Sequence, residues 1–124
     1  MLYIRLKHKI RNAVKMTKKE FSKKNPIIQD YLFYGSFDIS PDKFVIWYLF
    51  ETEEELKAAE STGLCSEITN ATIRNLISSR YPISDYDLNK KTLVSFTTYE
   101  DIDKKADGDI HLYFQSGPPA KPEA

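Results

Sequence analysis

The strongest constraint on the fold is an uninterrupted run of seven apolar or β-favouring residues, Phe44–Phe50. Aromatic and β-branched side chains are enriched in strands, and a run of this length suits a strand better than a helix. Because no polar residue alternates with the apolar ones, we expect both faces of the strand to be covered. The run therefore predicts a central strand of a sheet.

A second strand is predicted immediately before this one. The stretch Tyr31–Ile39 is rich in aromatic residues and includes Gly35. Between the two strands, Ser40–Lys43 has turn chemistry, with Pro41 suited to the second position of a turn. We expect the two strands to form a hairpin and to pair antiparallel.

Two helices are expected after the hairpin. Thr52–Glu55 matches a capping box, in which the side chains at the two ends bind free amides of the first turn. Gly63 is suited to the C-terminal cap of this short helix. The next helix is predicted from about Ser66 to Arg80, with apolar residues at helical spacing, and Pro82 stops it.

The C-terminal part of the core predicts two more strands. Thr92–Thr98 alternates as a strand should, after a polar, turn-rich stretch at 84–91. Thr98 can cap one or two helical turns that end near Lys105. A turn at 107–109 then leads to a last predicted strand, Ile110–Gln115.

The N-terminal segment is basic and amphipathic, with apolar residues at the spacing of one helix face. It can form one continuous helix. Alternatively, a helix begins at Thr17, where Thr17 and Glu20 make a capping box and Met16 and Phe21 occupy the positions of a hydrophobic staple. Pro26 ends either helix.

These elements predict an α+β fold in the form of a two-layer sandwich. Its mainly antiparallel sheet would have about four strands, with helices on one face, preceded by the basic N-terminal helix. The 124 residues suit a single domain. We divide the chain into a basic segment at 1–30, an α+β core at 31–116 and a disordered, proline-rich tail at 117–124.

The net charge of zero conceals an asymmetry. Residues 1–24 hold nine Lys or Arg and one acid, Glu20, so they carry +8 and the remainder carries −8. The segment either binds a polyanion or docks on the acidic body of its own chain. We favour docking, because lysine dominates over arginine and Phe21 is the one aromatic of the segment after Tyr3. The candidate basic patch consists of Arg5, Lys9, Arg11, Lys15, Lys18 and Lys19.

Four further residues are candidates for binding, namely Tyr48, Glu51, Glu54 and His111. The glutamates at 51–55 are interpreted chiefly as capping and dipole partners of a helix start. His111 could act as a general base, but a hydrogen-bonded surface histidine is the simpler interpretation. We expect no catalytic set, no metal site and no cofactor.

Cys65 is the sole cysteine, which excludes an internal disulfide and is typical of a reducing compartment. No apolar run approaches the length of a membrane span, and basic residues interrupt the N-terminus where a secretory signal would be apolar. We therefore expect a cytoplasmic protein without a membrane span.

Three stretches carry a resemblance to a known kind of protein: 44–52, 61–68, and 95–114 from Ser95-Phe96-Thr97 through Asp101-Ile102-Asp103 to Tyr113-Phe114. The chain resembles, over about Tyr34–Gln115, a family of small uncharacterised bacterial α+β domain proteins. The resemblance implies a fold and no assigned activity. Size and charge are also similar to those of cytosolic immunity proteins, which neutralise bacterial toxins.

Three functional hypotheses follow. The first is a non-enzymatic module that binds a protein partner through its acidic body, as an immunity-type inhibitor does. The second is a binder of nucleic acid or of an anionic surface that uses residues 1–24. The third is a small enzyme or ligand-binding domain that uses Tyr48, Glu51 and His111.

Overall fold

The computed structural model describes residues 2–36, 39–82 and 93–115, with side chains from residue 4 onward. These ranges contain five helices and three strands. In chain order they are α1 (Leu2–Glu20), β1 (Asp30–Gly35), β2 (Phe44–Phe50), α2 (Glu53–Ser61), α3 (Leu64–Ser78), β3 (Val94–Thr98), α4 (Tyr99–Ala106) and α5 (Ile110–Gln115). The predicted loop at 84–91 and the predicted tail at 117–124 lie outside the described residues.

Helix α1 is continuous, which resolves the two alternatives for the N-terminal segment. Thr17 does not cap a new helix, because its hydroxyl donates to the Ala13 carbonyl at 2.8 Å from within α1. The apolar face of α1 is buried against the body of the protein, at Leu6, Ile10, Ala13, Val14 and Thr17. The basic segment thus shares a hydrophobic core with the sheet.

The sheet has the order β1-β2-β3, with β2 in the centre as its apolar composition predicted. The hairpin is confirmed, since β1 and β2 pair antiparallel from Asp30↔Leu49 to Gly35↔Phe44. Gly35 permits a close approach at the end of the hairpin, where a Cβ atom would lie 2.2 Å from the Lys43 carbonyl oxygen.

The third strand pairs in parallel with β2, so the expectation of a mainly antiparallel sheet was wrong for half of the pairings. Partners run from Ile46↔Val94 to Phe50↔Thr98. The physical reason lies in the connection, because α2 and α3 return the chain to the start of the sheet and allow the next strand to run in the same direction.

The fourth predicted strand, Ile110–Gln115, is the helix α5. The Asp109 carboxylate accepts the Leu112 N–H at 2.9 Å, as a helix-capping side chain does. Burial of Tyr113 holds this short helix against the sheet. The described residues therefore form a sheet of three strands.

Helices cover both faces of the sheet, and the expected two-layer arrangement with helices on one face is not observed. On one face, Ile46, Tyr48 and Phe50 of β2 pack with α1 and α3. On the opposite face, alternate residues of β2 pack with α4 and α5, through Trp47, Leu49, Ile102, Ala106 and Tyr113. A central strand that is apolar on both sides requires this second layer.

The helix boundaries in the middle of the chain agree closely with those predicted. Thr52 caps α2 and accepts the Glu55 N–H at 3.1 Å. Gly63 adopts a left-handed conformation, with φ of 84°, between α2 and α3. Thr98 caps α4 in the same way as Thr52 caps α2, accepting the Asp101 N–H at 2.9 Å.

Candidate binding surfaces

Tyr48 is completely buried on the α1 and α3 side of the sheet. Its hydroxyl lies 2.8 Å from Thr72 Oγ1. The Thr72 hydroxyl donates its one proton to the Ile68 carbonyl, so Tyr48 must be the donor in this pair. Burial raises the pKa of Tyr48 to about 12, which keeps the hydroxyl protonated at neutral pH. Tyr48 is therefore a core residue with a satisfied hydroxyl.

Glu51 and Glu54 belong to an acidic corner formed where β2 and β3 end and α2 and α4 begin. We define this corner by six carboxylates, at Glu51, Glu53, Glu54, Glu55, Glu100 and Asp101. Parallel strands end at the same edge of a sheet, so the two helix starts lie together, and the Glu100 N–H donates to the Glu51 carbonyl at 3.1 Å.

The protein's own groups engage most of the acidic corner. Glu100 Oε1 accepts the Glu53 N–H at 2.8 Å, and Lys104 Nζ lies 2.6 Å from Glu53 Oε2 and 3.6 Å from Glu100 Oε2. The Glu55 carboxylate accepts the Glu51 N–H at 3.1 Å. These contacts bind backbone amides near the start of α2 and link α2 to α4. The sequence predicted capping and dipole partners at this helix start, but not the link between the two helices.

Asp101 is a well shielded carboxylate of the corner, with 14% of its side chain exposed. Tyr113 donates its hydroxyl proton to Asp101 Oδ2 at 2.5 Å, and Thr97 Oγ1 lies 2.8 Å from the Tyr113 oxygen. Because Tyr113 has only one proton, Thr97 must donate to Tyr113. Burial, together with the hydrogen bond to Asp101, raises the pKa of Tyr113. The chain Thr97–Tyr113–Asp101 therefore ties α5 to β3 and α4.

His111 is exposed on α5, on the opposite side of the sheet from Tyr48. It lines an open apolar cleft of about 410 Å³ together with Leu32, Tyr34, Ile110, Phe114 and Gln115. The floor is aromatic, because the Phe114 ring packs on Tyr34 and Trp47 with centroids 6.0 and 5.3 Å away. Trp47 Nε1 donates to the Tyr34 hydroxyl at 3.2 Å, which fixes that ring.

The structure therefore does not assemble the candidate residues into one site. Tyr48 is buried on one face of the sheet, His111 is exposed on the other, and Glu51 follows the end of β2. Cys65 is also buried, and burial raises the pKa of its thiol to about 12, so it is not a thiolate nucleophile at neutral pH.

The six residues of the predicted basic patch are divided among four settings. Arg5 is exposed, and Lys9 Nζ donates to the carbonyl of Ser79 at the end of α3 at 2.8 Å. The Arg11 guanidinium lies 5.9 Å from the centre of the Phe33 ring, within the range of a cation–π contact. The other three residues, Lys15, Lys18 and Lys19, line a common cleft.

This basic cleft consists of Lys15, Lys18, Lys19, Ser22 and Tyr31 and has a volume of about 370 Å³. None of its lysines forms an ion pair with another described residue. The acid nearest in sequence, Glu20, is engaged elsewhere, with its carboxylate on Arg74 and Asn75 of α3 at 2.8 and 2.9 Å. The cleft therefore presents positive charge that the described part of the chain does not neutralise.

Sequence reasoning missed the contribution of β1 to both clefts. Tyr31 and Phe33 lie on the α1 side of this strand, beside the basic cleft and Arg11, whereas Leu32 and Tyr34 line the apolar cleft on the other side. The alternation of side chains in a strand is a usable signal for this division. The packing of β1 against α1 and α5 has no such signal in the sequence, because the contacting residues are far apart in the chain.

β1 is also an edge strand. Within the described part of the chain it pairs with β2 alone, so its other side is not part of the sheet. Its side chains are half-buried or exposed, and Tyr34 is 42% exposed. An edge strand presents backbone N–H and C=O groups that can pair with another chain.

No helix in the described ranges combines the length and apolar composition needed to cross a bilayer. No group of three His, Cys, Asp or Glu side chains in those ranges is placed to hold a metal ion.

Comparison with protein-family models, curated proteins and solved structures found no match to this chain. The resemblance to small bacterial α+β proteins therefore stays an expectation from the sequence. The candidate binding surfaces are the two clefts and the edge strand between them.

Proposed function

We propose that this protein is a non-enzymatic protein-binding module whose binding surface is the β1 edge with its two clefts. The observation that carries the proposal is the lysine cluster of the basic cleft, which has no acidic partner among the described residues and borders β1, an edge strand within the described part of the chain. Immunity-type inhibition is one way in which such a module would act.

The positive charges of the basic cleft destabilise the helix that carries them. Arg11, Lys15 and Lys19 follow one another at intervals of four residues in α1. Like charges at this spacing repel and destabilise a helix by a few tenths of a kcal/mol per pair. Cations that no acid in the described part of the chain balances are available to an anionic partner, and their field accelerates its approach.

The acidic corner is the competing surface, since the sequence suggested binding through the acidic body. Its carboxylates are mostly occupied by backbone amides, by Lys104 and Lys105 and by Tyr113. A partner that used them would have to replace these contacts. The basic cleft requires no such exchange, and for this reason we assign binding to the β1 side.

The proposal is tested by capture from a bacterial lysate on the immobilised full chain, with protein and nucleic acid both quantified. Deleting residues 1–24 is not a clean test, because Leu6, Ile10 and Val14 belong to the core. We would instead compare the wild type with the double variant Lys15→Glu/Lys19→Glu.

The matched variant is Glu51→Lys/Glu54→Lys, which reverses two exposed acids of the corner. A protein captured in stoichiometric amount should be lost with the lysine reversal and retained with the glutamate reversal. Loss with the glutamate reversal alone would move the binding surface to the acidic corner. Absence of any stoichiometric protein would count against the proposed function itself.

A second candidate function is binding of single-stranded nucleic acid in the basic cleft. The observation that favours it is the placement of Tyr31 and Phe33 beside the cations, since single strands are held by basic grooves with aromatic rings. Fluorescence anisotropy with a labelled oligonucleotide tests it. Affinity should fall steeply with salt and disappear in Lys15→Glu/Lys19→Glu, whereas salt-independent or absent binding would exclude it.

A further inference from the structure

The β1 edge has different chemistry on its two faces. On the α1 side, Tyr31 borders three lysines, and Arg11 lies over Phe33. On the α5 side, Leu32 and Tyr34 border the apolar cleft. A strand laid beside β1 would place successive side chains alternately on these two faces.

Each face selects a type of side chain. The lysine cluster favours carboxylates, because charge-assisted hydrogen bonds to an ammonium group are stronger than neutral ones. The apolar cleft favours aliphatic or aromatic side chains, since its walls include Ile110, Phe114 and the ring of Tyr34. The side of β1 that pairs with no described strand supplies the third element, backbone hydrogen-bonding groups without side-chain specificity.

We propose that β1 accepts an extended segment of a partner protein as an added strand, and that the segment alternates acidic with apolar side chains. The inference rests on the proposed function and specifies its partner. β1 has six residues, Asp30–Gly35, so the segment that pairs with it spans about six residues. Recognition by strand addition takes affinity from the main chain and specificity from pockets for alternate side chains.

The two-sided arrangement favours a peptide over a nucleic acid. A polyanion would engage the basic cleft and leave the apolar cleft empty. An acidic–apolar segment uses both clefts and the strand edge together. Binding that depends on the apolar cleft and on the lysines therefore distinguishes the two classes of partner.

The first experiment selects octapeptides from a random phage-displayed library on the immobilised full chain. The enriched sequences should alternate acidic and apolar residues. One of them is then synthesised with a fluorescent label, and its Kd for the wild-type protein is measured by anisotropy.

The second experiment methylates backbone nitrogens of that peptide, in two versions that modify alternate residues in opposite phase. In an added strand, every second residue directs its N–H toward the neighbouring strand. One version should bind at least about tenfold more weakly, because it loses several hydrogen bonds, and the other should bind almost as the parent peptide does. Equal effects of both versions would overturn strand addition.

Protein variants locate the peptide on the two faces. Lys19→Glu should weaken binding by about tenfold or more, whereas Lys57→Glu, an exposed reversal on α2, should not. Ile110→Ala should weaken binding through the apolar cleft, and Leu112→Ala, which is exposed on the same helix but does not line the cleft, should not.

The outcomes separate this inference from the proposed function. If peptides bind tightly but both methylated versions bind equally well, the proposal of a protein-binding module stands and the proposal of an added strand is wrong. If neither Lys19→Glu nor Ile110→Ala weakens peptide binding, the peptides do not bind at the β1 surface. Enrichment of no peptide, with salt-dependent binding of a labelled oligonucleotide instead, would overturn both and establish the second candidate function.

Discussion

The acidic corner and the basic cleft are both dense clusters of like charge, but the protein treats them differently. In the corner, carboxylates accept backbone amides at or just before the start of α2, pair with Lys104 and Lys105, and bind Tyr113. In the cleft, three lysines line an open concavity without an ion pair to any other described residue. Charge density alone thus does not distinguish a structural cluster from a binding surface.

The difference can be measured as a free energy of unfolding. Carboxylates that satisfy helix starts stabilise the native state, so their removal should destabilise it. Lysines that repel one another within α1 contribute no such stabilisation, so their replacement should be neutral or stabilising. Substitutions in the two regions should therefore change stability in opposite directions.

The largest effect is expected from Tyr113→Phe. This change removes the proton donor of Asp101 and the acceptor of the Thr97 hydroxyl. Leaving buried polar groups unpaired costs about 1–3 kcal/mol, so urea unfolding should show a loss of that size. Tyr31→Phe, which deletes a hydroxyl at the rim of the basic cleft, is the matched control and should change stability by less than about 0.5 kcal/mol.

Tyr113→Phe should also change how the free energy of unfolding depends on pH. The pKa of Tyr113 is raised above its ordinary value of 10.0 by burial first and by Asp101 second. A tyrosine whose pKa is higher in the folded state contributes stability below the unfolded pKa, and this contribution is lost as the pH rises above 10. Tyr113→Phe should therefore lose less stability on alkaline titration than the wild type does, and an unchanged alkaline slope would contradict the assigned network.

A somewhat smaller effect is expected at the two helix starts of the corner. Thr52→Ala and Thr98→Ala each delete a capping oxygen, so each should cost about 1 kcal/mol, measured by thermal or urea unfolding. Serine at either position keeps the oxygen and should restore most of the loss. Equal losses for the alanine and serine variants would show that the threonine methyl group, rather than the cap, carries the stabilisation.

These two caps were predictable from the sequence because a capping box is local. Thr52 and Thr98 were assigned from the residues that follow them within one turn. The parallel pairing of β3 was also accessible, since a connection that contains two helices is long enough for a crossover. The antiparallel expectation came instead from extending the hairpin pattern of β1 and β2 to the rest of the sheet.

Helix α5 shows where local signals conflict. Ile110–Gln115 is rich in β-favouring residues, and Asp109 before it was assigned to a turn. In the structure Asp109 caps the helix, and Tyr113 reaches Asp101 across the core. The position of Phe33 under Arg11 was beyond sequence reasoning for a related reason, because residues so far apart in the chain meet only through packing.

A substitution in the basic cleft should change the free energy of unfolding in the opposite direction. Lys15→Glu places an acid four residues from both Arg11 and Lys19, which converts two repulsive spacings into attractive ones. The free energy of unfolding should rise by about 0.5–1 kcal/mol at low salt, and binding of the alternating peptide should weaken at the same time. Lys15→Gln removes the repulsion without adding attraction and should give an intermediate gain.

A decrease in stability for Lys15→Glu would contradict the contrast between the two regions, because it would show that the cleft lysines, like the corner acids, stabilise the fold. A gain in stability without weaker peptide binding would keep the contrast between the two regions but remove Lys15 from the binding surface. The paired measurement of stability and affinity therefore tests both statements.

The smallest effect is expected for the exposed ion pairs of Lys104. Hydrogen bonding to Glu53 raises the pKa of this lysine, yet its side chain is 59% exposed and that of Glu53 is 42% exposed. Solvent and salt screen such pairs, so they contribute little to stability. Lys104→Met should lower the urea midpoint slightly at low salt and leave it unchanged at high salt. A large, salt-independent loss would mean that Lys104 is required to hold α2 against α4, and the link between these two helices would then depend on this cation rather than on the helix caps.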